Sequence, residues 1–459
     1  MNASIHALLD RAKRLLSPAL PPQSEANPAA ASTDDDYLRR MEAERQSFND
    51  CANVHELPEI FHYWSNKHLA PKKFHQFGIT DPEQFFFLYC KKLAEQKGGF
   101  LRMVSIGAGN CDMEARLARR LLDEGISDFR LECTDINEAM LERGREHARQ
   151  MDVAEHVFPD YGDFNDWRPE GRYDVVMANQ CLHHVLELEK LFVAIKSCLT
   201  PDGYFLTSDM IGRNGHQRWP EALALVQQFW SELPEEYRNN RLLNRHEPQY
   251  INHDCSTESF EGIRAQDILP LLVEHFHFEL FLPFANIVTV FIDRPFGHNF
   301  NAEGEWDRDF IDRLHARDEE AIMSGEIKPT QMLAVLRSEA VETTLLHPRL
   351  TPEFCIRPRQ VSPFRDKTLL HGKVRALATD PTGTYRRVQT SCSDIFLPQS
   401  ASSTAGSRSD GRAAHGAGGD RPAAGRVSAD PIRPGRSPCW QGQWPVQAAA
   451  ARLLCLGDQ

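Results

Sequence analysis

No apolar run in the 459 residues approaches the length of a membrane span, and none of the eleven cysteines stands in a C-x-x-C pair. The first absence excludes a transmembrane helix. The second, with an odd and scattered cysteine set, gives neither zinc-ligand spacing nor a disulfide framework. No metal is expected, and a reducing, cytoplasmic setting is. A basic surplus is also missing from the body of the chain. Residues 1–336 carry 35 Lys and Arg against 55 Asp and Glu, residues 337–459 carry 17 against 10, and the whole has a net charge of −13. A strongly acidic body repels phosphate, so nucleic acid is not expected as a partner and a small neutral or cationic ligand fits better. The length allows two or three domains and a large buried core. Nothing in it bears on oligomeric state.

Residues 1–36 lack a sustained apolar period and form an expected flexible N-terminal segment. Within it, residues 1–16 place leucines at helical spacing among Arg11, Lys13 and Arg14. This pattern suits a surface helix or a weak membrane-surface helix, and it lacks the uninterrupted apolar stretch of a signal peptide. Residues 17–36 are rich in Pro, Ala and Asp, a linker composition. A helical cap is expected over 37–98. Residues 55–69 gather Tyr63, Trp64, Asn66 and Lys67, either as an ordinary amphipathic helix or as a cover over a ligand pocket. Asp81-Pro82-Glu83 opens a further helix, with Pro in the first turn and acids that complement the dipole.

The centre of the chain is a run of strand and helix signals. Residues 103–106 are apolar and stop at Gly107-Ala108-Gly109, and a helical pattern follows from Met113. That combination predicts strand, tight turn and helix. A second strand over 129–136 ends on Asp135, 26 positions after Gly109. There a strand–helix–strand unit sets a carboxylate beside the first turn. A helix over 138–151, a short strand near Val157 and the step Gly162-Asp163-Phe164 form a third unit. The continuously apolar 173–179 suits a strand buried on both faces of a parallel sheet. A helix over 187–199 and a fifth strand over 204–209 follow. The alternation predicts a doubly wound α/β domain spanning 99–336. Its later elements are expected as a helix over 263–275, a sixth strand over 276–283 and a seventh over 286–293, with a helical run over 306–323 wrapping back on the domain.

The Gly107-Ala108-Gly109 turn, Asp135, Gly162-Asp163-Phe164, Tyr173-Asp174-Val175-Val176, Leu182-His183-His184 and Leu199-Thr200-Pro201-Asp202-Gly203 stand in one order and spacing. With them, residues 99–295 resemble class I S-adenosylmethionine-dependent methyltransferases of the small-molecule kind. The resemblance implies a Rossmann-like seven-stranded sheet with an antiparallel last strand, and S-adenosyl-L-methionine as cofactor. It implies that the glycine turn holds the methionine part, Asp135 the ribose, and Asp163 with Phe164 the adenine. Ser105, Ala108, Asp112, Ile136 and Asn179 complete the expected cofactor site. Two positions depart from the family pattern. Ser105 replaces an acid and Cys111 a third glycine; Asp112 or Glu114 are the candidates to supply the missing charge.

Between the fifth strand and the helix over 263–275 lies an insertion, 211–262, read as a lid over a small-molecule acceptor. Long insertions at the carboxyl edge of an α/β sheet commonly bind ligands. Arg213, Asn214 and Trp219 from this lid, with Tyr63 and Trp64 from the cap, are the expected acceptor-binding residues. Methyl transfer from a sulfonium asks mainly for alignment and water exclusion, and a hydroxyl acceptor also asks for a base. His183, His184 and His216 are the candidates, since imidazole titrates near neutral pH; the first two have an equally simple reading as packing residues. No Asn/Asp-Pro-Pro-aromatic motif follows the fourth strand, and no proline precedes Cys181. Methylation of exocyclic base amines or of pyrimidine C5 is therefore not expected. O-methylation of a small molecule or sugar-containing metabolite is, with N-methylation and a non-catalytic cofactor-binding module as the alternatives. A G-x-G-x-x-G dinucleotide fingerprint is absent, since Asp112 stands three places after Gly109. From 337 to 459 a low-complexity, largely disordered tail is expected. Residues 401–459 are rich in Ala, Gly, Ser, Pro and Arg, with no Lys after Lys373, which reads as disorder or as GC-rich sequence outside its evolved frame.

Overall fold

The computed structural model describes residues 34–49 and 56–358, and the backbone of 377–379 and 385–387. Expectations for residues 1–33 and 401–459 lie outside the described residues. The chain divides into two compact units. In the smaller, Pro358–Trp440, strands Leu377–Thr379 and Tyr385–Arg387 pair antiparallel, with Ala378 opposite Arg386. The larger unit holds the remaining described residues.

Its strands are β1 (Leu101–Ile106), β2 (Phe129–Asp135), β3 (Val157–Tyr161), β4 (Tyr173–Asn179), β5 (Leu199–Met210), β6 (His277–Phe284), β7 (Gln331–Arg337) and β8 (Thr344–Leu345). They form one sheet in the order β8-β6-β7-β5-β4-β1-β2-β3. All neighbours run parallel except β7, which is antiparallel to both β5 and β6. The sheet is therefore the expected seven-stranded one with an antiparallel seventh strand, extended at one edge by the two-residue β8. Strand order reverses between β1 and β4, the place where α/β sheets open a crevice at their carboxyl ends.

Helices cover both faces because the strands are apolar on both. β4 is buried from Tyr173 through Ala178, which matches its unbroken apolar sequence. The described helices are α1 (Asp34–Asn49), α2 (Glu59–Trp64), α3 (Pro82–Lys97), α4 (Asp112–Asp123), α5 (Glu138–Gln150), α6 (Leu188–Cys198), α7 (Pro220–Glu232), α8 (Ala265–His275), α9 (Val288–Ile292), α10 (Glu305–Ser324) and α11 (Pro352–Cys355). α3 starts as its sequence predicts: the Asp81 carboxylate accepts from Gln84 N at 2.7 Å, with Pro82 in the first turn. Phe85 and Phe86 on its inner face are fully buried, each stabilising the fold by about 1.5–3 kcal/mol. Among the described residues no helix is long and apolar enough to cross a membrane.

Three expectations are corrected. Residues 34–36, given to the linker, are the first turn of α1, where Asp35 and Asp36 complement the helix dipole. The stretch 286–293 is not the seventh strand. Ala285 takes a left-handed φ of +54° and bends the chain after β6, Asn286 N and Ile287 N then donate to the buried Asp318 carboxylate on α10, and α9 follows. A short, wholly apolar run carries no period that separates strand from buried helix, and here Asp318 decides. The seventh strand comes after α10, as β7. Residues 338–358, given to the tail, are structured: β8 pairs with β6, Leu350 and Cys355 are buried, and Arg357 Nε meets Glu221 at 2.7 Å on α7. Their elements are too short to show periodicity.

Candidate functional site

The glycine turn sits at the carboxyl end of β1. Gly107 N and Ala108 N donate to Thr134 O at 2.8 and 3.1 Å, and Gly109 N donates to Asp135 Oδ2 at 2.9 Å. Gly107 adopts φ +66°, and a Cβ there would lie 2.5 Å from Cys181 Cβ. Only glycine combines that conformation with that approach. Cys111, in place of the third glycine, is itself left-handed at φ +53°. Its sulfur packs where α5 offers Gly144, whose added Cβ would lie 2.8 Å away. The small residue has thus moved from the turn to the facing helix.

An acid of α4 stands beside Ser105. Ser105 Oγ donates to Glu114 Oε1 at 2.6 Å, and Glu114 is only 3% exposed. Burial pushes its carboxyl up to about 7, with the Ser105 hydrogen bond opposing the rise. Asp135 is also pushed up by burial, against amide donors from Asn137 and Gly109.

These groups line a cavity of about 150 Å³. Gly107, Ala108, Gly109, Asp112, Glu114, Asp135, Ile136, Phe164, Asn179, His183 and His184 form its walls, and α1 closes it with Glu44, Arg45 and Phe48. The side-chain oxygens of Asn179 and Gln180 are buried here without a hydrogen-bond partner, as is proper to a site that receives a polar ligand. The Asp135 carboxylate keeps acceptor capacity beyond its two amide bonds. Glycine cradle, two acids and orphaned amide oxygens together fit an S-adenosyl group. Asp163 does not line the cavity: its oxygens accept from Tyr37 Oη on α1 at 2.6 Å and from Asn165 N at 2.9 Å. Ser105 lies behind Glu114.

At the carboxyl ends of β4 and β5 the three candidate histidines come together around an acid that carried no local sequence signal. Glu261 Oε1 lies 2.5 Å from His216 Nε2 and 3.6 Å from His183 Nε2, and its Oε2 lies 3.7 Å from His184 Nε2. His183 Nδ1 meets Asp209 Oδ1 at 2.7 Å, and Asp209 also accepts from the amides of Cys181, Leu182 and Met210. His184 Nδ1 and Glu44 Oε1 form a 2.7 Å ion pair. Burial works against charging His184, but the Glu44 and Glu261 carboxylates outweigh it and raise the imidazole to about 10. Burial likewise opposes ionisation of Glu261, yet the surrounding histidines hold its carboxyl far below the usual range. His216 is lowered by burial, with its bond to Glu261 opposing.

Two loops are clamped to build this cluster. Gly215 N donates to Gly262 O at 2.9 Å, and a Cβ on Gly262 would lie 3.0 Å from Gly215 N and 3.1 Å from His216 N. Gly215, Gly262 and the non-glycine His216 all have positive φ. His216 faces a second cavity of about 80 Å³ under the 211–262 segment, with Arg218, Asn240, Tyr250, Asp293 and Phe296 among its walls. Arg218 is buried, donates to His216 O and Thr289 Oγ1, and keeps its Nε without a partner. His216 and Glu261 thus form a wall shared by the two cavities.

The expected acceptor-binding residues lie elsewhere. Tyr63 Oη donates to Asp312 and Trp64 Nε1 to His315 Nδ1, both on α10. Arg213 donates to Arg218 O, Asn214 Oδ1 accepts from Gln266 N, and the Trp219 ring carries the Arg357 guanidinium at 5.4 Å. None of the five lines either cavity. Two charged residues of the lid do: Arg218, their neighbour in sequence, in the second cavity, and Glu261 in the first. Sequence reasoning also missed Glu44, Asp209 and Glu261. Of these only Asp209, at the end of a fifth strand, stood where such folds place functional side chains.

Residues 104–205 match the family model described as a methyltransferase domain. No curated relative matches the chain. Among solved structures it is similar to an O-methyltransferase from a trans-AT polyketide synthase multienzyme of Brevibacillus brevis in complex with S-adenosyl-L-homocysteine. That match has 16% identity and a TM-score of 0.34, and covers 60% of this chain and 75% of that one. It is also similar to an S-adenosylmethionine-dependent methyltransferase of Thiobacillus denitrificans in complex with S-adenosyl-L-homocysteine, at 13% identity and TM-score 0.33, over 62% and 100% of the two chains. A third is geranyl diphosphate C-methyltransferase of Streptomyces coelicolor A3(2), at 12% identity and TM-score 0.36, over 65% and 98%.

Proposed function

Starting from the premise that this chain carries a class I S-adenosylmethionine-dependent methyltransferase domain, with S-adenosylmethionine as its cofactor, we propose that it methylates an oxygen of a small molecule or sugar-containing metabolite held under the 211–262 segment. The supporting observation is the wall that His216 and Glu261 share between the two cavities, joined at 2.5 Å.

S-adenosylmethionine, when bound, supplies the methyl group from its sulfonium. The chain's own residues do the rest. The glycine turn cradles the methionine part, Glu114 and Asp112 face its ammonium, and Asp135 accepts from the ribose hydroxyls. Ile136 and Phe164 flank the adenine. Asp163 acts by latching α1 over the cavity through Tyr37. Asn179 Oδ1 and Gln180 Oε1, unpartnered and buried, take polar atoms of the donor or acceptor. As the acceptor oxygen takes the methyl group, its proton would be lost toward the His216–Glu261 pair. His183 and His184 hold Glu261 in place. Acceptor selection falls to Arg218, Asn240, Tyr250 and Phe296.

The test has two parts. S-adenosylhomocysteine should raise the melting temperature of the full chain, and the absence of any shift would sink the enzyme reading in favour of a fold without cofactor. With an acceptor found by screening hydroxylated metabolites against labelled cofactor, His216→Ala should lower kcat about 10²–10⁴-fold while keeping S-adenosylhomocysteine binding. An unchanged kcat points to an amine acceptor needing alignment alone.

A further inference from the structure

We propose that His183, His216 and Glu261 form a binding site for one divalent first-row transition-metal cation, set in the wall between the two cavities. The role of this cation rests on the methyltransferase reading; its binding does not.

The donor atoms converge. One from each residue lies within 4.8 Å of the other two, all three side chains are buried, and the individual separations to Glu261 Oε1 are 2.5 and 3.6 Å. Ligands about 2.0–2.1 Å from a metal stand roughly 3.0–3.4 Å from one another in octahedral or tetrahedral geometry. The observed spacings bracket that range, so small side-chain rotations admit the ion.

The surroundings are built as metal sites are. Asp209 holds His183 Nδ1 at 2.7 Å and is itself fixed by three backbone amides. This carboxylate sets the tautomer that leaves the Nε2 lone pair free toward Glu261. The Gly215–Gly262 contact presses the other two ligands together, with His216 kept in a left-handed conformation that a packing role alone does not require. Two imidazoles and one carboxylate favour iron, cobalt, zinc or manganese over magnesium or calcium, and three protein ligands leave coordination positions open. The ligands come from both cavities: His183 and Glu261 line the first and His216 the second. An acceptor oxygen bound at an open position would be made acidic by the ion, which takes over that task from the imidazole.

The experiment uses Co²⁺ as the probe on the full chain after chelator treatment. Visible absorption and calorimetry should report one Co²⁺ per chain. His216→Gln and Glu261→Gln should each lose it, and Asp209→Asn, a positioning change, should weaken it about 10–100-fold. The melting shift with S-adenosylhomocysteine is followed in parallel. It should persist in His216→Gln, whose side chain does not line the cofactor cavity, and its absence from the wild type would defeat the methyltransferase reading without touching the metal result. If either Gln variant fails to fold, Glu261→Asp replaces it, and weakened Co²⁺ binding is the expected result. No uptake by the wild type, or uptake unchanged by these substitutions, overturns the proposal.

Discussion

Glu114 shows how one buried acid couples stability to cofactor binding. Folding lifts its carboxyl from the ordinary 4.5 to about 7, so between those pH values the folded chain holds a proton that the unfolded chain has released. The stabilisation from this group is full below pH 4.5. It is lost as pH rises through 7, by about 3 kcal/mol in all. Glu114→Gln keeps the Ser105 hydrogen bond and abolishes the titration, so urea midpoints at pH 5 and pH 8 should differ less in the variant than in the wild type. Cofactor binding runs the other way: the ionised carboxylate favours an ammonium, and S-adenosylhomocysteine should bind more tightly at pH 8 than at pH 6 in the wild type only. Equal pH dependences in the two proteins would show that Glu114 is silent. The residues of this cavity were legible to different degrees. Asp135 could be placed because a strand–helix–strand unit fixes the distance from the glycine turn to the next strand end. Glu261 and Glu44 could not, since a loop and an N-terminal helix deliver them across the fold with no spacing rule between them and the histidines they meet.

Elements were legible where burial imposes a period and illegible where tertiary contacts choose. β4 declared itself by an unbroken apolar run, whereas 286–293 looked the same and became α9 because Asp318 caps its first amides. The lid illustrates a subtler failure. Its polar and aromatic residues were noticed, yet Asn214 and Trp219 brace the lid against α8 and Arg357, Arg213 donates within the lid, and the glycines do the positioning. Gly262→Ala tests this at the scale of the two loops. An alanine at φ +66° costs about 1–2 kcal/mol, and its Cβ would push Gly215 and His216 away from Glu261. Methyl transfer should fall more than S-adenosylhomocysteine affinity, because the glycine turn and Asp135 lie outside the disturbed loops. A parallel loss of both, read from kcat and from binding calorimetry, would mean that the clamp supports the whole crevice rather than the shared wall.

At the scale of the whole molecule, the composition change near residue 337 does not coincide with the end of the structured domain. Residues 338–358 add the edge strand β8, bury Leu350 and Cys355, and join Arg357 to Glu221 and Lys328 Nζ to Phe354 O. A chain ending at 358 should therefore keep its melting temperature and its S-adenosylhomocysteine shift. A chain ending at 340 loses three buried apolar side chains, Leu350, Pro352 and Cys355, and two anchoring contacts, several kcal/mol together, and should melt roughly 5–10 °C lower. Its cofactor site is untouched, since the glycine turn, Asp135 and the histidine cluster make no contact with the removed segment in the lining of either cavity. Binding should survive at temperatures where the shorter chain is folded. Differential scanning calorimetry of the two truncations separates these effects: equal melting would show that 338–358 packs without contributing. Loss of cofactor binding on cutting at 358 would instead assign residues beyond it a part in the site.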